Sequence, residues 1–183
     1  KILFRHSFDH LRNNIYKVKE FEKAFADRMN IPNALGVTSG TSALRVALAS
    51  LGIKEGDEVI TQSFTFVATV EAIIESRAVP IIAEIDSTLN MDPNDLEKKI
   101  NKNTKAIIAV HMLGVPARLK EIKEIADKYG IYLIEDTAWG CGGYYNDIPL
   151  GTYGEIGTYS FDFAKTMTTG EGGMIVFKEK KHY

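Results

Sequence analysis

Short, unbroken apolar runs separated by helical periodicities are the strongest constraint this chain places on its fold. The segments 58–62, 80–85, 105–110 and 131–135 carry their apolar residues side by side instead of at alternate positions. A strand with one wet face alternates; a strand covered on both faces does not. Between the runs, apolar residues recur at helical spacing. Ile15, Val18, Phe21, Phe25 and Met29 share one face of a helix expected over 13–29, which Pro32 stops. Leu44, Ala47, Leu48 and Leu51 do the same ahead of Gly52, and Leu119, Ile122, Ala126 and Tyr129 make another face. Helices are also expected over 66–76 and over 92–99, the latter entered by Asp92-Pro93, a cap followed by proline in the first turn. With 34–38, 156–161 and 173–177 added, seven strands are expected. The fold class is therefore α/β: three layers, αβα, around a mostly parallel seven-stranded sheet.

No internal repeat, low-complexity linker or domain break interrupts the pattern, and 183 residues suffice for one proper core. A net charge of −2 gives no electrostatic reason to expect nucleic acid or an anionic membrane as partner. No apolar run approaches the ~20 residues of a membrane span, and no signal peptide is visible. The single cysteine, Cys141, forms no internal disulfide and fits a reducing, cytoplasmic compartment. The chain opens on Lys1 and ends in KEKKHY directly after a strand. Both ends read as cut, and a longer parent protein is expected.

In a parallel sheet of this kind, ligands sit at the carboxyl ends of the strands. The residues there are 39–42, 63–66, Asp86, His111, 136–139 and 160–165. Lys165 lies between a strand and the turn 168–173, among small and hydroxyl residues. A partly desolvated lysine can act as a nucleophile toward an aldehyde; a solvated loop lysine is the plainer reading. Gly40, Thr41 and Ser42 open a helix after a strand, which suits a phosphate, although capping by Ser39 or Thr41 explains the same residues. The turn is neither GxxxxGK[ST] nor GxGxxG. Asp136 follows an apolar strand, where a carboxylate needs a cation or an N–H partner, or caps the next helix. Glu135 points to the opposite face and receives no chemical role. Phe66 opens a helix where a flat ring can stack on a flat cofactor, with Phe64 expected in the core. Ser160, five residues before Lys165, can aim at the same ligand. His111 reads as a structural histidine. A metal site has little support, and GxSxG is missing. Phosphate cradle, stacking ring, carboxylate for a pyridinium and lysine for an aldehyde are together the handles of pyridoxal 5'-phosphate.

The segments 37–44 (VTSGTSAL), 135–143 (EDTAWGCGG) and 159–174 (YSFDFAKTMTTGEGGM) resemble the DegT/DnrJ/EryC1/StrS family of sugar aminotransferases, as do 56–60 (GDEVI) and 104–111 (TKAIIAVH). The resemblance covers essentially the whole chain. It implies the large domain of a fold-type-I, aspartate-aminotransferase-like enzyme using pyridoxal phosphate. On this resemblance Lys165 makes the Schiff base and shuttles a proton, Asp136 pairs with the pyridine nitrogen, and Phe66 stacks on the ring. Gly40, Thr41, Ser42 and Ser160 hold the phosphate. Trp139 stands near the cofactor, where glutamine or histidine is usual. Asp162 replaces a common histidine, and Arg118 an aspartate that often caps the helix. The implied reaction moves an amino group from an amino acid, generally glutamate, to a keto-sugar, usually nucleotide-linked, for surface polysaccharide, lipopolysaccharide or antibiotic synthesis. Alternatives are a transaminase of a free keto-sugar acid such as a keto-octulosonate, a non-catalytic pyridoxal phosphate binder, and a sugar dehydratase; dehydratases of the family carry histidine in place of the lysine. The family further implies a homodimer with shared active sites. Residues 1–183 would then be the cofactor-binding large domain, helix 13–29 plus sheet 34–178, with the small C-terminal domain lying outside this chain.

Overall fold

The structure, a computed structural model, describes residues 17–182. The first helix is seen as α1 (Lys17–Met29); residues 13–16, with Ile15, lie outside the described residues. Then follow β1 (Asn33–Val37), α2 (Gly40–Ser50), β2 (Glu58–Gln62), α3 (Val67–Glu75), β3 (Val79–Ala83), α4 (Pro93–Lys99) and β4 (Thr104–Val110). The chain continues through α5 (Leu119–Tyr129), β5 (Tyr132–Asp136), β6 (Tyr144–Tyr145), β7 (Ile148–Pro149), β8 (Ile156–Ser160) and β9 (Gly173–Phe177). No helix among the described residues is long and apolar enough to cross a membrane.

Seven strands form one sheet in the order β1-β9-β8-β5-β4-β2-β3. The contiguous pairs from β8 to β3 are parallel. Only β9 is reversed among the seven, antiparallel to both β8 and β1. The expected α/β class and mostly parallel sheet are what forms.

Every strand of the seven-stranded sheet except the edge strand β3 feeds two cores, because successive side chains point to opposite faces. Ile108, Ile134, Ile156 and Ile175 pack under α2 and α3 through Leu44, Leu48, Ala72 and Ile73. Ile107, Ala109 and Leu133 pack under α4 and α5 through Leu96, Leu119, Ile122 and Ala126. Met174, Val176 and Tyr159 meet Phe25, Ala26 and Met29 of α1. Every fully buried Leu or Ile of these layers contributes about 1.5–3 kcal/mol of apolar burial. That is why the strands read as unbroken apolar runs.

Three residues expected on apolar faces or in the core are not core: Val18, in the first turn of α1, is 58% exposed, and Tyr129 and Phe64 join it. Tyr129 is 44% exposed at the last turn of α5, and its hydroxyl donates to Glu97 Oε1 at 3.3 Å. A phenol next to the αL cap Gly130 reaches water and a carboxylate more readily than it reaches the sheet. Phe64 is 40% exposed. The buried place at the end of β2 goes to Gln62 instead. Its amide nitrogen donates to the carbonyls of Phe64 and Leu89, and its oxygen accepts from the N–H groups of Met91 and Val110. Once that amide is satisfied inside, the loop leaves the core and takes Phe64 with it.

The hairpin β6–β7 was not expected from the sequence. Its strands are too short for periodicity to register, and its signal lies in the turn. Asn146 and Asp147 both have positive φ, 46° and 66°, as a two-residue hairpin turn requires.

Candidate active site

The carboxyl ends of β1, β2, β4, β5 and β8 surround a cavity of about 390 Å³. Its lining brings together Gly40, Thr41, Phe66, Asp136, Trp139, Ser160 and Lys165 from the expected set. Ser42 is not in the lining; its hydroxyl contacts Thr38 Oγ1 and Ser39 Oγ instead. Ser39, Thr65 and Asp162, from the expected strand ends, also line it; sequence reading did not single out the remaining polar residues there, Thr69 and Glu171. Asp86 turns back on its own loop, accepting from the N–H and hydroxyl of Thr88.

Helix α2 starts at the cavity wall. Ser39, its N-cap, accepts from Ser42 N through its side chain and from Ala43 N through its carbonyl, both at 3.0 Å. The capping expected of Ser39 is real, and it leaves the N–H groups of Gly40 and Thr41 as those opening toward the cavity. Gly40 is there for space. A Cβ at this position would lie 2.8 Å from Ser160 Cβ, so only glycine lets the helix start sit against the end of β8. The positive helix end and the hydroxyls of Thr41 and Ser160 form a setting for a dianion.

Asp136 ends β5 on the α2–α3 side, 5% exposed. Its Oδ1 accepts from Ala138 N at 3.1 Å and its Oδ2 from the Thr69 hydroxyl at 2.9 Å. Burial pushes this carboxyl above the ordinary range, more than those two donors and the charge of Lys165 pull it down. A cationic group entering the cavity would reverse that balance.

Glu135, one residue earlier, goes to the other face and is completely buried. It accepts from Gly151 N, Tyr153 N and Gly154 N at 2.6–2.8 Å, and contacts His111 Nε2 at 3.0 Å. His111 Nδ1 accepts from Ala117 N at 3.1 Å, which places the ring proton on Nε2, pointing at Glu135. His111 is thus the structural histidine it was read to be. Burial works to raise the Glu135 pKa, but His111 and the backbone donors outweigh it and hold the carboxyl below the usual range. Two adjacent carboxylates have opposite fates: one is saturated with donors behind the sheet, the other waits at its edge.

Lys165 is half-buried, more open than a buried nucleophile would be. Its Nζ lies over the Trp139 ring, 4.0 Å from the centroid. The loop that carries it is anchored at Phe161, whose carbonyl accepts from Thr169 N and the Thr168 hydroxyl while its N–H donates to Gly172 O. The Phe161 ring is buried edge-on against Phe21 and Phe25, at 5.4 and 5.8 Å between centroids. Helix α1 therefore supports the lysine loop from beneath. Asp162 accepts from Ala164 N, within the same turn. Phe66, 64% exposed, occupies the N-cap position of α3 and presents its ring at the cavity mouth. Arg118, at the N-cap of α5, makes no capping bond and pairs with Glu121 instead. Among the described residues no group of three or more His, Cys, Asp or Glu side chains converges on a metal position.

The family model described as the DegT/DnrJ/EryC1/StrS aminotransferase family matches residues 9–183. A GDP-perosamine synthase of Vibrio cholerae is 42% identical over 160 residues, which is 87% of this chain and 44% of that protein. Among solved structures, an aminotransferase from Psychrobacter cryohalolentis superposes with a TM-score of 0.90 at 35% identity, covering 95% of this chain and 46% of that one. NtdA from Bacillus subtilis, with bound cofactor PMP, superposes at 0.87 with 32% identity, over 92% of this chain and 38% of that one. The chain spans between 38% and 46% of the length of these relatives.

Proposed function

Because this chain belongs to the DegT/DnrJ/EryC1/StrS aminotransferase family, we propose that the whole protein uses pyridoxal 5'-phosphate to move an amino group from an amino acid to a keto-sugar. The observation that carries this reading is the convergence of Lys165, Asp136 and the start of α2 on one cavity, from three distant segments of the chain. The residues present fit the group. A cavity of about 390 Å³ lies in the range of small-molecule sites. Gly40 and Thr41 offer helix N–H groups to a phosphate, and Asp136 is a buried acceptor in want of a cation. When bound, the cofactor supplies an aldehyde that condenses with amines and a protonated ring that withdraws electrons.

Handling the proton, the ring and the phosphate is the task proposed for this chain's own residues. Asp136 would hold a proton at a ring nitrogen with its carboxylate, whose oxygens accept from the Thr69 hydroxyl and Ala138 N. Lys165 is the only lysine or arginine lining the cavity among the described residues, so its Nζ, as the free amine, would be the atom to accept and return a proton. Trp139 and Phe66 offer ring faces to a flat ligand, and Ser160 and Thr41 offer hydroxyls to a phosphate.

The name of the Vibrio cholerae relative concerns a GDP-linked sugar, which favours a nucleotide-linked acceptor here. Glutamate is the proposed donor and the cytoplasm the proposed compartment. A second subunit is proposed to cover the cavity mouth, in support of which Phe66, Val67 and Phe163 are 64%, 55% and 78% exposed there.

The test uses the full-length protein. Borohydride reduction after loading with pyridoxal phosphate, followed by peptide mapping, should place the label on Lys165. Glutamate should then bleach the visible band of the unreduced protein, and a keto-sugar should restore it. Label elsewhere would overturn the site; a band indifferent to every amino acid would leave a binder instead of an enzyme. Loss of a sugar hydroxyl without gain of an amine would mark a dehydratase.

A further inference from the structure

Thr69 lies in the first turn of α3 and is 1% exposed. Its hydroxyl is 2.9 Å from Asp136 Oδ2, a contact that spans 67 residues of sequence. The same oxygen is 2.9 Å from Thr65 Oγ1. Thr65 lines the cavity beside Phe66.

A hydroxyl carries one proton, and an ionised carboxylate only accepts. With Asp136 ionised, Thr69 must donate to it. Its lone pairs are then free to accept, and Thr65 donates to Thr69. The chain of hydroxyls therefore runs one way, Thr65 to Thr69 to Asp136, and a charge-assisted bond closes it. Ala138 N–H holds the other carboxylate oxygen. Two fixed donors on two different oxygens leave the carboxylate no freedom to rotate.

We propose that Thr69, backed by Thr65, is a positioning residue that fixes the orientation of Asp136 and favours its ionised form for the cationic nitrogen of the cofactor. The proposal rests on the pyridoxal phosphate reading above. Thr69 also lines the cavity, but in this role it acts through Asp136. Valine at the same position has the same shape and no hydroxyl, while serine keeps the hydroxyl and loses a methyl. The two variants therefore separate hydrogen bonding from packing.

The experiment measures pyridoxal phosphate affinity by equilibrium titration of the full-length protein, for wild type, T69V, T69S, D136N and T69V/D136N. Melting of the cofactor-free proteins is recorded in parallel. D136N must weaken binding strongly; if it does not, the cofactor reading itself falls, and this proposal with it. Given that loss, T69V should weaken binding about tenfold, the scale of a hydrogen bond to a charged group. T69S should restore most of it, and T69V should cost nothing further in the D136N background. Unchanged affinity in T69V would overturn the proposal. So would equal losses in T69V and T69S, which point to packing, or a T69V loss that persists without the carboxylate.

Discussion

Lys165 holds its amine over the face of Trp139, 4.0 Å from the ring centre. An ammonium over an indole is worth about 0.5–1 kcal/mol at a partly exposed site. The contact pins a side chain that would otherwise sweep a loop of exposed residues. In Trp139→Leu the lysine loses that hold. Amine acylation of the cofactor-free protein, read by peptide mapping, should label Lys165 about two- to fivefold faster than in the parent, with the exposed Lys102 as internal standard. Equal rates would show that the ring does not restrain the amine.

Asp136 should be a residue that function retains at a cost in stability. Burial raises its pKa in the fold, so the folded state disfavours the charged form. For a carboxyl raised above its unfolded value of about 3.9, the cost appears as pH climbs past that value and is complete above the folded one. Asp136→Asn removes the charge, and its amide keeps partners in Ala138 and Thr69. At neutral pH the cofactor-free variant should therefore melt at or above the parent temperature, with the difference closing below about pH 4. A clear fall in melting temperature at neutral pH would refute this.

Glu135 should behave in the opposite way. Its carboxyl is held below the usual range by His111 and three backbone N–H groups despite its burial. A depressed folded pKa stabilises above the unfolded value of about 4.3, and the benefit is lost as pH falls through the folded one. Glu135→Gln trades an acceptor for a donor facing donors. It should cost about 3–5 kcal/mol in urea unfolding at pH 7, the scale of a broken buried charge network, and flatten the acid limb of stability. A loss under about 1 kcal/mol would mean the network is not holding the 144–154 segment.

Gly40 and Ser160 should be coupled. Gly40→Ala drives a methyl into Ser160 Cβ, at an unrelaxed 2.8 Å. The variant should lose about 1–3 kcal/mol as α2 shifts, and with it phosphate affinity. Adding Ser160→Gly removes the opposing Cβ. A double-mutant cycle should then give a favourable coupling above about 0.5 kcal/mol, and strict additivity would rule out the steric account.

Much of this architecture is legible from local pattern. Unbroken apolar runs mark strands covered on both sides, and the observed sheet has seven strands at nearly the expected positions. Lys165 and Asp136 stand out because each follows such a run, where a parallel sheet exposes its functional edge. Periodicity is less informative beyond element ends. Phe64 looked like core, but the satisfied amide of Gln62 turned it outward. Tyr129 shared a helical face with Ile122, but the last turn lifted it into solvent.

Within the body of a strand, which face a residue occupies follows from its offset along the chain, and so the amino-acid order sets it. That Glu135 would be buried behind the sheet while Asp136 met the cavity follows in part from this alternation. Which donors each carboxylate would find does not. Thr69 reaches Asp136 across 67 residues only because α3 starts at the edge of the sheet where β5 ends. Ser160 confronts Gly40 only because β8 lies where α2 begins. Strand order and register set those meetings, and they come from the packing of the whole sheet, which no single stretch of sequence encodes.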